Sequence, residues 1–257
     1  MPGRRGTGNV RSVTTYDTIG RTYTATRATE PRYAERIWAV LGDAAPVLNV
    51  GAGTGSYERR DRSMIAVEPS SVMIAQRPSG AAPAVQGVAE HLPFADGSFG
   101  GAMAVLTVHH WTDAAAGLAE IRRVTRGPIA IVGTDIAAWF RSWLGGYFQD
   151  MADLDGEITA DETAALLGAD RVEVLETPHD CRDGFFGAYW RRPEAYLDPI
   201  ARDGISTFDR MGPERADRFV RELSADLESG AWLDRNADLL EADSYDIGHR
   251  LVIVDGP

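Results

Sequence analysis

A glycine-rich turn follows the first strongly apolar run of the chain, and it could hold a ligand close to the backbone. The apolar run is 47–50, and the glycines after it are Gly51, Gly53 and Gly55. A dinucleotide turn needs the spacing G-x-G-x-x-G so that a pyrophosphate can rest on a helix N-terminus, but Ser56 stands where the third glycine would be. The turn therefore favours a ligand without a pyrophosphate.

A carboxylate closes the next apolar segment. Glu68 comes directly after the apolar residues 64–67. A carboxylate at the end of a strand in this kind of sheet can accept hydrogen bonds from both hydroxyls of a ribose. Glu68 alone would more simply be a solvated surface charge, but its place after the glycine turn favours a nucleotide-like ligand.

Two adjacent histidines are the best candidates for proton transfer. His109 and His110 follow the strongest predicted strand, 102–107, and an imidazole gains and loses a proton near neutral pH. Either ring could act as a general base, line a substrate pocket or serve as hydrogen-bonded scaffolding. His179 is a weaker candidate. We expect the adjacent rings to diverge, and no carboxylate stands at a metal-ligand spacing from them, so no metal site is predicted.

The composition limits the classes of function. The chain has 257 residues, of which 44% are hydrophobic, and this length suits one large domain or a core with an insertion. Its formal net charge of −12 argues against nucleic acid or an anionic membrane as a partner. Cys181 is the one cysteine, so no disulfide can form within the chain. No apolar run is long enough to span a bilayer, and the absence of a G-x-S-x-G elbow argues against a serine hydrolase. We expect a cytoplasmic monomer or homodimer.

The elements that position these residues alternate between strand and helix from residue 33 to residue 133. Strands are predicted at 47–50, 64–67, 84–86, 102–107 and 129–132, and helices at 33–42 and from an N-cap at Thr112 to Gly127. This alternation predicts an α/β fold with a mostly parallel sheet covered on both faces. The glycine turn, Glu68 and the two histidines then each follow a strand.

The second half of the sequence has a different character. Aromatic residues recur at helical spacing through 136–151. Two more strands are predicted at 171–175 and 251–254, and helices that begin at Pro193 and Pro213 lie between them. Our interpretation is one sheet domain whose last two strands are separated by a helical insertion.

Several bulky aromatic residues could form the wall of a pocket for an organic molecule, because large apolar rings exclude water and suit an aromatic ligand. The candidates are Trp111, Trp139, Trp143, Phe185 and Tyr189. The alternative is a helical layer that only packs on the sheet.

Four segments together resemble the class I S-adenosylmethionine-dependent methyltransferases, in particular their small-molecule, methyltransferase type 11-like branch. The segments are VLNVGAGTG (47–55), AVEPS (66–70), GVAEHLPFADGSF (87–99) and AVLTVHHW (104–111). The resemblance implies a Rossmann-like, seven-stranded, mostly parallel sheet with helices on both faces, an antiparallel last strand and a helical cap. It also implies S-adenosyl-L-methionine as cofactor, S-adenosyl-L-homocysteine as product and a small-molecule acceptor.

The resemblance also divides the chain into segments with different tasks. They are a tail and cofactor-covering segment (1–32), a cofactor-binding core (33–135), an aromatic helical lid (136–170), the last two strands (171–180 and 245–257) and a helical insertion that caps the substrate (181–244).

Cofactor contacts follow residue by residue from the same resemblance. The methionine moiety would contact the backbone of Gly51, Ala52 and Gly53, with Asn49 close by, and Glu68 would bind the ribose. Met73 would pack on the adenine face, Ala89 and Glu90 would lie at the adenine edge, and Leu106 and Thr107 would lie beside the sulfonium. Tyr16, Tyr23 and Arg27 would close over the cofactor or pair with its carboxylate. The sequence departs from the family pattern at Asn49, Val88 and Gly100, where acidic residues are usual.

These observations predict an enzyme that methylates a small hydrophobic or aromatic molecule, with natural product biosynthesis as one setting. His109 or His110 would be the base, and the aromatic group described above would bind the acceptor. Two alternatives stay open. One is an enzyme of the same fold that catalyses a non-methylating reaction such as a cyclisation, and the other is a non-catalytic module that binds the cofactor.

Overall fold

The computed structural model describes residues 26–148 and 158–256. Its first half contains α1 (Pro31–Leu41), β1 (Val47–Val50), β2 (Met64–Glu68), α2 (Ser71–Ala75), β3 (Ala84–Gln86), β4 (Gly101–Val105), α3 (Ala114–Val124) and β5 (Ile129–Thr134). Its second half contains α4 (Ile136–Arg141), α5 (Ala160–Leu167), β6 (Arg171–Val174), β7 (Thr177–Pro178), α6 (Pro199–Asp203), α7 (Ser206–Met211), α8 (Pro213–Ser229), α9 (Ala231–Asn236), β8 (Ser244–Tyr245) and β9 (His249–Val254). No helix within the described ranges is long and apolar enough to cross a membrane.

Seven strands form one sheet in the order β3-β2-β1-β4-β5-β9-β6. The strands from β3 to β5 pair in parallel, whereas β9 runs antiparallel to both β5 and β6. The prediction of a Rossmann-like sheet with an antiparallel last strand is confirmed. Because β9 is antiparallel, its first residue, His249, pairs with Thr134 at the carboxyl end of β5. The start of β9 therefore lies at the same sheet edge as the glycine turn and the ends of β2 and β4.

Helix α1 supports this edge of the sheet from one face. Its N-cap is Glu30, whose carboxylate accepts the Arg32 N–H at 3.1 Å, and Pro31 occupies the first helical position. The residues of α1 that are buried are Tyr33, Ile37, Trp38 and Leu41. Their spacing places them on one helical face, which packs against the sheet.

Helix α3 is shorter at both ends than predicted. Its N-cap is Asp113 rather than Thr112, because the Asp113 carboxylate accepts the Ala116 N–H at 2.9 Å. It ends before Thr125, which is extended and forms a parallel bridge with Phe99. The competing β-type pairing therefore stops the helix at Val124, three residues before Gly127, which was expected to end it.

The aromatic residues at helical spacing over 136–151, which Gly145 and Gly146 interrupt in the sequence, do not lie on one helix. Helix α4 gives way at Ser142 to a tight turn over Trp143–Tyr147. The Ser142 hydroxyl donates to the Trp139 carbonyl at 2.6 Å, and a Cβ on Gly145 would lie 2.1 Å from the Phe140 carbonyl oxygen. Local hydrogen bonding and close backbone approach thus outweigh the helical periodicity. Residues 149–151 lie outside the described part of the chain.

The helices of the insertion pack on this segment through aromatic rings. Ring centroids lie 5.2 Å apart for Trp139 and Phe186 and 4.9 Å apart for Phe148 and Phe219. Such pairs stabilise packing beyond simple burial. The insertion is therefore attached to the sheet at the edge where the polar candidate residues lie.

Candidate functional site

The glycine turn after β1 exposes bare backbone beside the end of β4. Gly51, Gly53 and Gly55 have φ angles of +66°, +53° and +96°, values that residues with a Cβ rarely adopt. A Cβ on Gly51 would lie 2.1 Å from Oγ1 of Thr107. Position 51 therefore has no room for a side chain beside Thr107, and Gly51 and Gly53 present only backbone to the cavity that they line.

The Glu68 carboxylate is fixed beside this turn. Its Oε2 accepts the Gly53 N–H at 2.8 Å and its Oε1 accepts the Ser70 N–H at 3.0 Å. The residue is only 6% exposed. Glu68 therefore ties the glycine turn to the end of the neighbouring strand and holds its carboxylate at the sheet edge.

A first cavity opens between the glycine turn and the ends of β2 and β4. The predicted cofactor residues that line it are Gly51, Gly53, Glu68, Met73, Ala89, Glu90, Leu106 and Thr107. Trp111, predicted for the acceptor, also lines this cavity, as does Val88. Ala52 lies in the turn without lining the cavity, and its N–H donates to the Val67 carbonyl at 3.1 Å.

Asn49 also lies outside the lining of the first cavity, and its environment explains why it is an amide. It is 3% exposed, and its Nδ2 donates to Oε1 of Glu58 at 3.0 Å. Arg77 donates to both oxygens of Glu58 at 2.7 Å and to the Gly53 carbonyl at 3.1 Å. A negative charge therefore lies beside position 49 on Glu58, where Arg77 pairs with it and connects this carboxylate to the glycine turn.

A second cavity adjoins the first. Its lining contains aromatic and aliphatic side chains, five basic or imidazole side chains and no carboxylate: Arg27, Leu106, His109, His110, Thr134, Ile136, Trp139, Phe185, Phe186, Ile205, Ser206, Thr207, Arg210 and His249. Leu106 and His110 line both cavities. Leu106 has a φ of +51°, which ends β4 before the predicted residue 107 and is a conformation typical of strained functional sites.

The two adjacent histidines lie together rather than apart, so the expectation that their rings diverge was wrong. Their ring centroids are 3.9 Å apart because both belong to a tight turn, Val108–His110. Burial lowers the pKa of His109 well below its usual value, with a further contribution from His110. Burial and the guanidinium groups of Arg210 and Arg27 lower the pKa of His110 to about 3. Both rings are therefore neutral at physiological pH.

Of the three residues predicted to cover the cofactor, the structure describes only Arg27. Tyr16 and Tyr23 lie outside the described residues. Arg27 lines the second cavity rather than the first. Its guanidinium pairs with the buried Asp183, which also accepts the Tyr57 hydroxyl at 2.8 Å. This arrangement links the segment before α1 to the wall of the second cavity.

The remaining aromatic candidates are divided between the second cavity and the packing around it. Trp139 and Phe185 line that cavity, but Trp143 and Tyr189 do not. Nε1 of Trp143 donates to the Trp190 carbonyl at 2.9 Å, which fixes its ring in the aromatic packing. Outside both cavities, His179 forms a hydrogen bond with the Asp243 carbonyl at 3.2 Å.

His249 is a site residue that the sequence reasoning missed. It is buried at the start of β9 and lines the second cavity. Its Nδ1 lies 3.0 Å from the hydroxyl of Tyr33. The signal available in the sequence was a single histidine just before the predicted strand 251–254, and only the antiparallel pairing of β9 with β5 brings it to the functional edge.

Comparison with known proteins identifies relatives of this arrangement. The family model for a methyltransferase domain, methyltransferase type 11, matches residues 48–128. A crystal structure from Anabaena variabilis, assigned as a methyltransferase from an antibiotic biosynthesis pathway, shares 32% sequence identity. The match covers 89% of this chain and 98% of that chain, with a TM-score of 0.80. No curated protein sequence matches this chain.

More distant structures share the fold alone. The cyclase SpnF is 17% identical, with coverage of 95% of this chain and 94% of that chain and a TM-score of 0.54. Geranyl diphosphate C-methyltransferase from Streptomyces coelicolor, solved with Mg²⁺, geranyl diphosphate and S-adenosyl-L-homocysteine, is 13% identical, with coverage of 88% and 77% and a TM-score of 0.51.

The family assignment rests on the Anabaena relative, which matches nearly the whole chain, and on the methyltransferase-domain match across the glycine turn, Glu68 and the two histidines. The sheet order and the first cavity agree with it. The chain belongs to the class I S-adenosylmethionine-dependent methyltransferases.

Proposed function

We propose that this protein transfers a methyl group from S-adenosyl-L-methionine to a small hydrophobic or aromatic organic molecule. The observation that carries the proposal is the junction of two different cavities at Leu106 and His110. The first has a carboxylate and a bare glycine turn, and the second has aromatic walls without a carboxylate. A nucleophile bound in the second cavity would face the first across this junction.

The residues of the first cavity fit the cofactor. Gly51 and Gly53 line the cavity without side chains, and Glu68 supplies a fixed carboxylate for the ribose hydroxyls. The buried Met73 lines the cavity and offers its thioether to the adenine face. When bound, the cofactor supplies a methyl group on a positively charged sulfur. The chain's own task is to align a nucleophile with this carbon and to exclude water.

His110 is the residue that we propose as the base. It lines both cavities, whereas His109 lines only the second. The ring is neutral, so its lone pair can accept a hydrogen bond from an acceptor hydroxyl or amine and orient the nucleophile. Because a pKa of about 3 makes the ring a weak base, it would accept the proton late, when the forming bond to the methyl group has made the nucleophile strongly acidic. Its close packing on His109 disfavours charge on both rings together, so a single proton would be accepted by the pair.

The acceptor would bind against Trp139 and Phe185. Both are buried and line the second cavity, together with Phe186. Flat apolar rings of this kind favour an aromatic or hydrophobic acceptor. The Anabaena relative's place in an antibiotic biosynthesis pathway supports natural product biosynthesis as the setting.

The first experiment measures cofactor binding by titration calorimetry with S-adenosyl-L-methionine and S-adenosyl-L-homocysteine. We expect both to bind, and we expect Glu68→Ala to weaken each by at least about tenfold, because hydrogen bonds to a charged group contribute about 1.5–3 kcal/mol. Glu176→Ala, an exposed carboxylate outside both cavities, is the control. Wild-type protein that binds neither compound would contradict the proposal.

The second experiment follows turnover on a panel of phenols and aromatic amines with methyl-deuterated cofactor and mass spectrometry. We expect a product with one added labelled methyl group. His110→Asn should lower kcat by about 10²-fold or more, as expected for loss of a general base. Conversion of an acceptor without incorporation of label would instead favour a non-methylating reaction such as a cyclisation.

A further inference from the structure

The hydroxyl of Tyr33 makes three hydrogen bonds beneath the second cavity. Its oxygen lies 3.0 Å from the Leu175 carbonyl, 2.8 Å from Oγ1 of Thr177 and 3.0 Å from Nδ1 of His249. Tyr33 is 1% exposed and Thr177 is fully buried. Water therefore has little access to these bonds, and the four groups must satisfy one another.

The number of protons available decides the direction of each bond. A phenol has one proton to donate, and a backbone carbonyl can only accept, so the Tyr33 proton goes to Leu175. The phenol oxygen must then accept from both Thr177 and His249. Nδ1 of His249 therefore carries the imidazole proton, which leaves Nε2 with a lone pair.

The imidazole is held with this lone pair available to the second cavity. Nδ1 is engaged by Tyr33, and the Phe185 ring packs edge-on against the imidazole at a centroid distance of 4.6 Å. Burial, with Arg27 and Arg250 nearby, lowers the pKa of His249 to about 3, although Asp246 acts in the opposite direction. The ring is therefore neutral at physiological pH, and Nε2 is a hydrogen-bond acceptor.

His249 and the junction of the cavities lie at separate points of the same sheet edge. Strand β5 lies between β4, which leads to Leu106 and His110, and β9, which begins with His249. Two strand spacings separate β4 from β9, or roughly 10 Å. This span suits an aromatic ring system with a polar group at each end.

We propose that His249, oriented by Tyr33, is a specificity-determining residue that accepts a hydrogen bond from a second hydroxyl or N–H group of the acceptor, remote from the methylated atom. The inference rests on the proposed function and adds a substrate class to it. The preferred acceptor is an aromatic molecule with two hydrogen-bond donors, one for His110 and one for His249. An acceptor without the second donor would not make the hydrogen bond to Nε2, and the preference for the two-donor acceptor follows from that loss.

The first test measures the tautomer in the ligand-free protein. Two-bond ¹H–¹⁵N correlation spectra distinguish a protonated ring nitrogen from a bare one, and the His249→Gln variant identifies the signals among the five histidines. We expect a protonated Nδ1 and a bare Nε2 at pH 7.5. The opposite tautomer would overturn the inference, whether or not the protein transfers methyl groups.

The second test measures binding of 2,6-dihydroxynaphthalene and 2-naphthol by calorimetry, with S-adenosyl-L-homocysteine present. The two probes differ by one hydroxyl. We expect the diol to bind about tenfold more tightly to the wild-type protein, which corresponds to about 1.4 kcal/mol for the second hydrogen bond. His249→Leu should reduce this ratio to about twofold, the statistical advantage of a symmetric diol, because only one acceptor nitrogen then remains.

Two further variants separate the hydrogen bond from general effects on packing. His249→Gln, which keeps an acceptor oxygen, should preserve part of the preference, and the control His179→Asn, outside both cavities, should preserve all of it. A diol that does not bind, a wild-type ratio below about threefold, or a ratio unchanged in His249→Leu would overturn the inference. Cofactor binding and methyl transfer, which test the proposed function, are measured separately, so the two failures are distinguishable.

Discussion

Replacement of Asn49 by aspartate tests whether the glycine turn requires an amide at this position. In the structure, Nδ2 of Asn49 donates to Oε1 of Glu58 at 3.0 Å. The side chains of Glu58 and Arg77 are only 5% and 6% exposed. An ionised carboxylate at position 49 would replace a donor with an acceptor and place a second negative charge beside Glu58. Arg77 already donates to both oxygens of Glu58, so one cation would face two anions.

The size of the effect has a lower and an upper bound. Loss of a hydrogen bond to a charged group costs about 1.5–3 kcal/mol. Protonation of the new carboxyl would restore a donor and remove the repulsion, and from an ordinary pKa of about 3.9 this costs about 4 kcal/mol at pH 7. We therefore expect Asn49→Asp to lower the free energy of unfolding by about 2–4 kcal/mol at pH 7.

The loss of stability should depend on pH in a defined direction. The Asn49→Asp carboxyl would have a folded-state pKa above its unfolded value, because Glu58 lies beside it. The deficit should be fully present above the folded pKa, shrink as the pH falls and vanish below about pH 3.9. Asn49→Ala removes the hydrogen bond without adding a charge, so its deficit should not follow this pattern.

The assay is urea unfolding followed by circular dichroism at pH 7.5, 6 and 5 for the wild type and both variants. Equal stability of Asn49→Asp and the wild type at pH 7.5 would refute the predicted repulsion, as would a deficit that matches that of Asn49→Ala at every pH. Because Arg77 also holds the Gly53 carbonyl at 3.1 Å, Asn49→Asp should weaken S-adenosyl-L-homocysteine binding as well. Calorimetry at pH 7.5 measures this effect.

Two further predictions concern the glycine turn and the buried histidines. Gly51→Ala should lower the free energy of unfolding by about 2–4 kcal/mol, from the positive φ and the overpacking against Thr107 together, and should prevent cofactor binding. The control is Gly168→Ala, which has a similar φ of +59° with nothing within 4 Å and should cost only about 1 kcal/mol in urea unfolding. Equal losses for the two variants would contradict the predicted clash at position 51. Burial lowers the pKa values of His109, His110 and His249 below the unfolded value of about 6.5. The stability that depends on the neutral rings is therefore fully present above about pH 6.5 and is lost as the pH falls through the folded-state pKa, which is about 3 for His110 and His249. His249→Gln should reduce the slope of stability against pH by up to about 1.4 kcal/mol per unit between pH 6 and 4, and an unchanged slope in urea unfolding would argue against a buried neutral ring.

The first cavity was largely predictable from the sequence because its residues follow strands in a recognisable order. The positions of Gly51, Glu68 and Thr107 depend on local turn geometry and on parallel pairing between neighbouring strands. Hydrophobic periodicity and glycine spacing encode both of these features within short segments. Short-range patterns therefore predicted the strands and the turn, and the resemblance to the methyltransferase family added most of the residues that line this cavity.

The second cavity depends on contacts between distant parts of the chain, which periodicity does not encode. His249 reaches the site only because β9 runs antiparallel beside β5. Arg27 points there because it pairs with Asp183, on a loop far along the sequence. Trp139 and Trp143 look alike in the sequence, yet only Trp139 lines the cavity, and the break of α4 at Ser142 separates the two.

The meaning of Asn49 was equally inaccessible from the sequence. An acidic residue is usual at position 49 in the family, whereas the structure shows Asn49 donating to the carboxylate of Glu58. The two residues lie on different sides of the glycine turn, and Arg77 comes from the segment after α2. A departure from a family pattern can thus be compensated by a contact that only the fold reveals.

Helix α1 connects the two halves of the candidate site. Tyr33 orients His249 at the wall of the second cavity, and Nε1 of Trp38 donates to the Tyr57 carbonyl, at the end of the glycine turn, at 2.9 Å. Both side chains lie on the buried face of one short helix. A methyl transfer requires the nucleophile and the methyl carbon to be aligned closely. A single rigid element that contacts the cofactor turn and the acceptor wall can maintain this alignment, so substitutions in α1 should alter catalysis even though α1 lines neither cavity.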